Sequence, residues 1–592
     1  MRRVSAALIF VAASFAAAPA AELQKASPTK SSAIVAKAGN DYWAWLQKEN
    51  VFVRVRLGLP IETLPDFSLK RVEADAAFGG GLLARLEKAN EAELSHEDQL
   101  SLWILREEAR ELVEAPGYYW LVFPGTPYTS PIRVISPYIA AYRFREPVDA
   151  DRYVRLLGSY ADMLGAIERK LRAQAKRGIL LPKDEIAQVT ALLSTAAAAP
   201  DQSLFRVKPE RLASLPEADR GDTAQRVTDG VIGKVRPAAK GLVEYLNGDY
   251  RAKAPDAVGL AQYPGGKDYY AHLVRQRTTL PVTPEEVHKI GLAEVEKLNS
   301  LLDLIRQKLE FKGSRDEFLK FLKSDPRFFA KTPEEVGERL MAAQNRIVGK
   351  ISTLFGRVPK AAYGVKRLEP ELEGALTFGY YQVPTANDPK GYYKYNGSNL
   401  DKRSLLGAGS LISHELVPGH HFQLNLQSEN ESLPRWRREG IGYTAFIEGW
   451  GEYSSALAGE LGMYDDSYDL AGRILFDMFL TSRLVVDTGM NDLGWSRAKA
   501  MDYMRANTDR SDAEIETETL RYSCDIPAQA LAYKMGSRKL WELRDRAQKA
   551  LGPRFDIRRY HDAILGSGAM PLDILERHVD WFIAQEKARK GP

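Results

Sequence analysis

The sequence is nearly free of cysteine, since Cys524 is the one thiol in 592 residues. A single cysteine excludes an intramolecular disulfide, so the chain is not one of the small exported proteins that disulfides hold together. Net charge is also nearly absent, at +4 from 82 basic and 78 acidic residues. So small an imbalance argues against a nucleic-acid partner, and a small or peptidic partner is expected instead.

Long apolar runs are missing beyond the N-terminus. The chain begins with Met1 and two arginines, continues with an apolar stretch to about Ala18, and then has small residues up to Ala21. This order predicts a secretory signal peptide over residues 1–21, and we expect export to the periplasm. No later run reaches the roughly 20 residues of a transmembrane helix, so no stable membrane insertion is expected. No cysteine lies near the cleavage site, which disfavours a lipid anchor.

Helix signals dominate the rest of the chain. The string Thr-Pro-Glu-Glu occurs at Thr283 and again at Thr332, and each copy places Thr at the cap, Pro at the first helical position and Glu three residues after the cap. The best candidate for a short β ribbon is Ala375–Pro384. We therefore predict a mostly α fold with this ribbon beside the chemistry, divided near residue 280 into helical lobes at 22–280 and 281–592.

Three of the 8 histidines, His414, His420 and His421, lie within eight consecutive residues beside Glu415. The arrangement departs from the helical zinc motif H-E-x-x-H, because Pro418 stands where the second histidine belongs. On a regular helix, position i+6 lies about 120° around and about 9 Å along the axis from position i, too far for two imidazoles to share an ion. The helix is therefore predicted to be distorted.

Pro418 and Gly419 supply the means of distortion, since proline cannot donate a backbone hydrogen bond and glycine adopts angles closed to other residues. A two-residue bulge there would bring His420 to the place of the usual second ligand. We expect His414 and His420 to bind one Zn²⁺ ion and His421 to serve a supporting or substrate-facing role. The alternative, with His421 as the ligand, stays open from the sequence.

Zinc in a hydrolytic site takes three protein ligands and leaves one position for water. Glu448 is the leading candidate for the third ligand, because it lies 28 residues after His420, enough for a loop and a returning helix. Glu452, one turn later, is expected to accept a hydrogen bond from a ligand histidine. The aromatic residues around this pair favour burial over a solvated helix face.

The strings around these residues resemble those of the bacterial domain-of-unknown-function 885 family, which is grouped with the zincin metallopeptidases. The resemblance covers most of the mature chain. Two positions depart from the family pattern: Gly451-Glu452 stands where aliphatic residues are common, and Ala528 where glycine is common. The strings that carry the resemblance are HELVPGHHFQ from His414, EGW from Glu448, RY from Arg521, PAQALAYKMG from Pro527, YHD from Tyr560 and GAMPL from Gly568.

The resemblance implies a large, mostly helical, zincin-like body with a glutamate as third ligand, broadly similar to oligopeptidases and carboxypeptidase Taq. In such a site Glu415 would act as general base on a zinc-activated water. Tyr522 and Arg521 are the leading candidates for stabilising the oxyanion, and Tyr533 is a candidate for a supporting or substrate-facing position. Tyr381, in an aromatic segment before the motif, is a candidate substrate contact, with a packed aromatic cluster as its alternative.

Three functions fit these residues. The first is a zinc metallopeptidase that cleaves short peptides, and the second is a metal-dependent amidase acting on a non-peptide or modified amide. The same zinc-water chemistry serves both, so the motif does not separate them. The third is a non-catalytic periplasmic binding protein, against which the presence of Glu415 beside the predicted ligands argues.

Overall fold

The computed structural model describes residues 29–61, 63–373, 379–385 and 388–589. The predicted signal peptide lies outside the described residues, as do Ala375 to Phe378 of the predicted β ribbon. The predicted mostly α class is confirmed, because helices make up most of the described chain and one small sheet accompanies them. No helix in these described ranges is both long and apolar enough to cross a lipid bilayer.

The helices before the sheet are α1 Lys30–Glu49, α2 Val51–Arg56, α3 Leu69–Leu86, α4 His96–Glu114, α5 Pro131–Ala140, α6 Val148–Ala175, α7 Lys183–Ala197, α8 Glu217–Gly230, α9 Arg236–Tyr245, α10 Arg251–Lys253, α11 Gly266–Thr278, α12 Pro284–Lys308, α13 Arg315–Ser324 and α14 Pro333–Val348. Within and after the sheet come α15 Pro370–Glu373, α16 Ala408–Glu415, α17 His420–Glu429, α18 Thr444–Leu457, α19 Ser467–Asn491, α20 Arg497–Asn507, α21 Asp512–Leu520, α22 Leu531–Leu551, α23 Ile557–Gly566 and α24 Leu572–Ala588. Short 3₁₀ and π turns join several of them.

The two predicted Thr-Pro-Glu-Glu caps form to different extents. At α12 the box is complete: the Thr283 hydroxyl accepts from the Glu286 backbone N–H at 3.2 Å, and the Glu286 carboxylate accepts from the Thr283 N–H at 2.8 Å. At α14 the Thr332 hydroxyl accepts from the Glu335 N–H, but the Glu335 carboxylate takes the N–H of Lys331 instead. Both helices begin where the sequence predicts.

The sheet has three strands, β1 Ala362–Arg367, β2 Gly379–Gln382 and β3 Lys390–Tyr395, in the order β1-β3-β2. Strand β3 pairs in parallel with β1 and antiparallel with β2. The predicted ribbon thus corresponds to β2 alone within the described residues, and its partners lie outside the predicted segment. The sheet immediately precedes α16 in the chain and lies beside it through Tyr393 of β3.

The main apolar core contains residues from Val35 to Ile583 and so draws on both sides of residue 280. Helix α11 also contacts α18 and α22 across that position. The boundary near residue 280 therefore stays a prediction. Two helix pairs organise the C-terminal half, α12 with α19 and α18 with α22. In the second pair the backbones come very close, since a Cβ on Gly449 would lie 2.6 Å from the Cα of Gly536.

The buried carboxyl group of Glu185 on α7 makes the stability of the folded protein depend on pH. Its side chain is fully buried; one carboxylate oxygen accepts from the Ser523 hydroxyl and, at 3.3 Å, from the Cys524 N–H, while Oε2 has no hydrogen-bond partner in the part of the chain that the structure describes. Burial, and then the charge of Asp525, raise the pKa of Glu185 to about 8. The folded protein therefore prefers the neutral acid, and its stability falls as pH rises from the ordinary glutamate pKa towards 8.

Replacing Glu185 by glutamine is expected to raise the free energy of unfolding by roughly 3 kcal/mol at about pH 8 and by almost nothing at about pH 5. Glutamine keeps the shape and a hydrogen-bonding oxygen but needs no charge in the core. Urea unfolding midpoints of the two proteins at both pH values measure the difference. An equal gain at both would mean that the effect is packing, not ionisation.

Candidate metal centre

The predicted distortion after His414 is larger than a bulge. Helix α16 ends at Glu415, and α17 begins at His420, so four residues interrupt the helix. Leu416 and Gly419 have non-helical backbone angles, with ψ at −105° and −128°, and the Val417–Pro418 peptide is cis. The break places His414 on the last turn of one helix and His420 on the first turn of the next.

Side chains from two other helices hold this break in place. The Gln344 amide of α14 donates to the Val417 carbonyl at 2.9 Å and accepts from the Val417 N–H at 3.3 Å. The Pro418 carbonyl accepts from the Trp450 indole at 2.9 Å and from the Ser454 hydroxyl at 3.1 Å, both on α18. The polar backbone of the buried break is thus satisfied by protein, as burial requires.

Position 419 requires glycine because the backbone there passes very close to the backbone of His414. A Cβ at this position would lie 1.8 Å from the carbonyl oxygen of His414, a distance no side chain tolerates. The pair Pro418-Gly419 therefore distorts the helix as predicted. Proline donates no backbone hydrogen bond, and glycine allows the close backbone contact.

The break brings two imidazoles onto one carboxylate. The Nε2 atoms of His414 and His420 each lie 3.3 Å from Oε2 of Glu448, and one ligand atom from each residue falls within 4.8 Å of the others. The histidines are buried, and the Glu448 side chain is 20% exposed. Two imidazole nitrogens and a carboxylate oxygen converging in this way could hold a metal ion, and the donor set suits zinc.

The charges of His414 and Glu448 match those of metal ligands. Burial lowers the pKa of His414 to about 4, against the opposing hydrogen bond to Glu448. Burial also acts on His420, but Glu448 and Glu415 outweigh it and raise its pKa. For Glu448, hydrogen bonds to both histidines overcome the effect of burial and hold the pKa well below its ordinary value. An ionised carboxylate beside imidazole is the form that binds a divalent cation.

Glu452 lies on the far side of His414. Its Oε2 atom is 4.0 Å from His414 Nδ1, and neither atom has a hydrogen-bond partner among the described residues. The other Glu452 oxygen pairs with Arg473, whose guanidinium also lies 3.7 Å from Asp477. A small closure would complete the hydrogen bond that was predicted to orient the His414 ring.

Glu415 and His421 occupy the side of the centre that faces the sheet. Burial raises the pKa of the Glu415 carboxyl to about 7, while His420 and a backbone hydrogen bond from Tyr381 act to lower it. The ring of His421 is turned away from Glu448: its Nδ1 bonds to the Tyr381 hydroxyl at 2.8 Å, and its Nε2 to the Ala361 carbonyl at 3.1 Å. His420, and not His421, therefore joins the cluster with His414 and Glu448.

The three candidate oxyanion residues are placed differently. Tyr522 is buried in a separate apolar cluster, where its hydroxyl bonds to Glu518. Tyr533 of α22 stacks against the His414 ring with centroids 6.1 Å apart, and its phenol is hydrogen bonded to Arg521. Arg521 also contacts Glu518 and Gln529. Of the two tyrosines, only Tyr533 packs on a residue of the cluster.

Sequence reasoning overlooked the part played by Gly451. A Cβ at this position would lie 2.8 Å from Cε1 and Nε2 of His414, so the absent side chain makes room for the imidazole. Gly451 is one of the two departures from the family pattern. At the other, Ala528 adopts a left-handed φ of 66°, a conformation that glycine takes more readily. Both departures thus fall at positions with a steric requirement.

Gly451→Ala is expected to weaken metal binding by about 10- to 100-fold, since the added methyl displaces His414 Nε2 from Glu448. Competition with a chromophoric chelator measures this loss. Gly241→Ala on α9 is the matched control, because a Cβ there meets nothing within 4 Å. Unchanged affinity in Gly451→Ala would contradict the assigned position of His414.

Comparison with known proteins places the chain among uncharacterised relatives. Residues 53–579 match the family described as "Bacterial protein of unknown function (DUF885)". A crystal structure of a "putative lipoprotein" from Colwellia psychrerythraea is similar at a TM-score of 0.86 and 25% identity, with 94% of this chain and 99% of that chain covered. A "putative lipoprotein of unknown function" from Shewanella oneidensis is similar at a TM-score of 0.71 and 14% identity, covering 92% and 99% of the two chains. No curated protein matches the chain.

Proposed function

This chain belongs to the DUF885 family of bacterial proteins, and we propose that it is an exported, zinc-dependent peptidase that cleaves short peptides. One observation carries the proposal: His414, His420 and Glu448 converge on one point that could hold a metal ion, and Glu415 lies beside them. The N-terminal sequence pattern and the description of both structural neighbours as lipoproteins support export.

The ion would supply a Lewis acid that activates water and polarises the scissile carbonyl. Glu415 directly follows the ligand His414, and its carboxylate would accept a proton from water and pass it to the leaving amine. His420 and His414 would bind through Nε2, since these are the atoms that face Glu448. Glu452 would orient His414 from its Nδ1 side.

Tyr533 is the better-placed donor for a developing oxyanion. Its ring packs on His414, and the charge of Glu448 acts on its phenol, which supports a role for its hydroxyl near the ligands. Arg521, bonded to that phenol, would hold it in position and contribute positive charge. Tyr522 would support this pair from behind through Glu518, which Arg521 also contacts. Tyr381 and His421 would form the wall near the substrate backbone.

Chelation tests the proposal. The purified protein is expected to contain about one equivalent of zinc and to hydrolyse short fluorogenic peptides. Dialysis against a chelator should remove both zinc and activity, and added Zn²⁺ should restore both. Metal content below about half an equivalent, with no gain on adding zinc, would sink the proposal. Cleavage of non-peptide amides in place of peptides would instead change the substrate class.

A further inference from the structure

A cavity of about 210 Å³ adjoins the metal centre along α16. Phe476 and Tyr393 line its inner end. The Phe476 ring centroid is 6.1 Å from that of His414, and the charge of Glu415 acts on the Tyr393 phenol. Gly407, Ala408 and Leu411, on the turns of α16 before His414, form one side. The cavity thus extends away from the centre towards the residues that precede α16.

The outer end of the cavity is basic. Four cations line the cavity, Lys323, Lys402, Arg403 and Arg510, against three carboxylates, Asp401, Asp509 and Glu514. Two of these carboxylates are already engaged. Asp509 pairs with Arg510 at 2.7 Å, and Glu514 lies 3.6 Å from Arg510 while accepting the N–H and hydroxyl of Ser511 at 2.8 Å.

Arg403 stands out among these cations. It is half-buried, and its Nε donates to the Ser398 carbonyl at 2.7 Å, which fixes the direction of the side chain. Among the described residues, no carboxylate lies within ion-pair distance of its guanidinium. Burial lowers the pKa of Arg403, and the nearby charges of Glu514, Tyr393 and Glu373 only partly compensate. A half-buried guanidinium that has no paired carboxylate among the described residues is suited to binding an anion.

From this geometry we infer that Arg403 binds the C-terminal carboxylate of the peptide substrate, so that the enzyme acts as a carboxypeptidase-type exopeptidase. The inference rests on the proposed peptidase function. A planar guanidinium binds a carboxylate through two parallel hydrogen bonds, a geometry that lysine cannot reproduce. Tyr393, which lines the cavity, is close to both groups, since the charges of Glu415 and Arg403 both act on its phenol.

The charge distribution also sets the direction of the substrate. Arg403, Lys323 and Lys402 line the outer end of the cavity and attract a carboxylate. A free α-amino group would be repelled from that outer end. The peptide is therefore expected to lie with its scissile bond at the metal centre and its C-terminus at Arg403.

Peptides that differ only in their ends test the inference. One peptide would be compared in three forms: with a free C-terminus, with an amidated C-terminus, and amidated with a glutamate as last residue. The metal-loaded wild-type protein is expected to cleave the free acid with a kcat/KM about 10- to 100-fold higher than the amide, the range for a hydrogen bond between charged groups. A side-chain carboxylate in the third form should not restore the rate.

Arg403→Gln is expected to lose this preference by slowing cleavage of the free acid 10- to 100-fold while leaving the amide unchanged. Arg403→Lys should recover only part of it. Arg505→Gln, which removes an exposed arginine on α20, is the charge-matched control and should behave as wild type. Isothermal titration of the same peptides into Glu415→Gln protein, with and without the Arg403 change, separates binding from turnover.

The outcomes distinguish the two proposals. Equal cleavage of free acid and amide by the wild type, or full rescue by the glutamate side chain, would overturn the carboxylate site and leave the peptidase intact. Free-acid binding that depends on Arg403 without any cleavage would support the site and refute the peptidase. If the protein neither binds nor cleaves the free-acid peptide, both proposals are refuted.

Discussion

Glu415→Gln is expected to lower kcat/KM for peptide hydrolysis by about 10²- to 10⁴-fold while the protein keeps its metal ion. The carboxylate is the only acid that directly follows a cluster ligand in the chain, and its pKa of about 7 lets it exchange protons near neutrality. Glutamine retains the size and a carbonyl oxygen for the Tyr381 backbone N–H, so the local fold should survive. Only the capacity to accept a proton is removed.

Kinetics and metal analysis on the same preparation measure this effect. Zinc content and the thermal midpoint should match those of wild type, since Glu415 is not among the three clustered ligands. Glu542→Gln on α22, an exposed position, controls for the loss of one negative charge. A variant that retains wild-type turnover would remove Glu415 from the role of base. A variant that loses zinc would make Glu415 a ligand instead.

The pair His420→Ala and His421→Ala should separate ligand from neighbour. His420→Ala is expected to lower zinc affinity by more than about 100-fold, because one of three converging donors is lost and Glu448 loses a hydrogen-bond partner. His421→Ala should retain the ion, because both nitrogens of that ring are bound elsewhere, one to Tyr381 and one to Ala361.

Chelator competition gives both affinities, and cobalt substitution gives a spectrum that reports the nitrogen ligands directly. The adjacent positions make each variant the control for the other. If His421→Ala lost the ion and His420→Ala kept it, the assignment of ligands drawn from the helix break would be wrong. The Tyr381 hydroxyl is hydrogen bonded to His421. Peptidase activity of His421→Ala should therefore fall only as far as the side chain of Tyr381 changes position.

The parts of the fold that depend on neighbouring residues could be predicted from the sequence. The cap at Thr283 forms as expected because all of its partners lie within four residues. The sheet was only partly predictable, since β3 pairs with β1, which lies 28 residues earlier, and no local pattern specifies that contact. The same limit applies to Gln344, which fixes the helix break from α14.

At the metal centre, residue type and spacing predicted which residues would meet, but not how the chain would bend. His414, His420 and Glu448 come together as expected, although through a four-residue interruption, not a bulge. The sequence favoured Tyr522 over Tyr533, but it could not show that a π turn over Arg521–Asp525 directs Tyr522 to Glu518. Arg403 carried no signal in the sequence, since its proposed role rests on the lack of a paired carboxylate among the described residues.

Helix α18 has two tasks at once: it presents Glu448, and through Trp450 and Ser454 it fixes the carbonyl between the two histidines. Helix α18, together with Gln344 of α14, thus fixes the backbone that carries all three donors before any ion arrives. Little conformational entropy remains to be lost when the metal ion binds. The affinity for the ion should therefore be high for a site with three protein ligands. The apoprotein should also stay folded, and loading should proceed as simple capture without a refolding step.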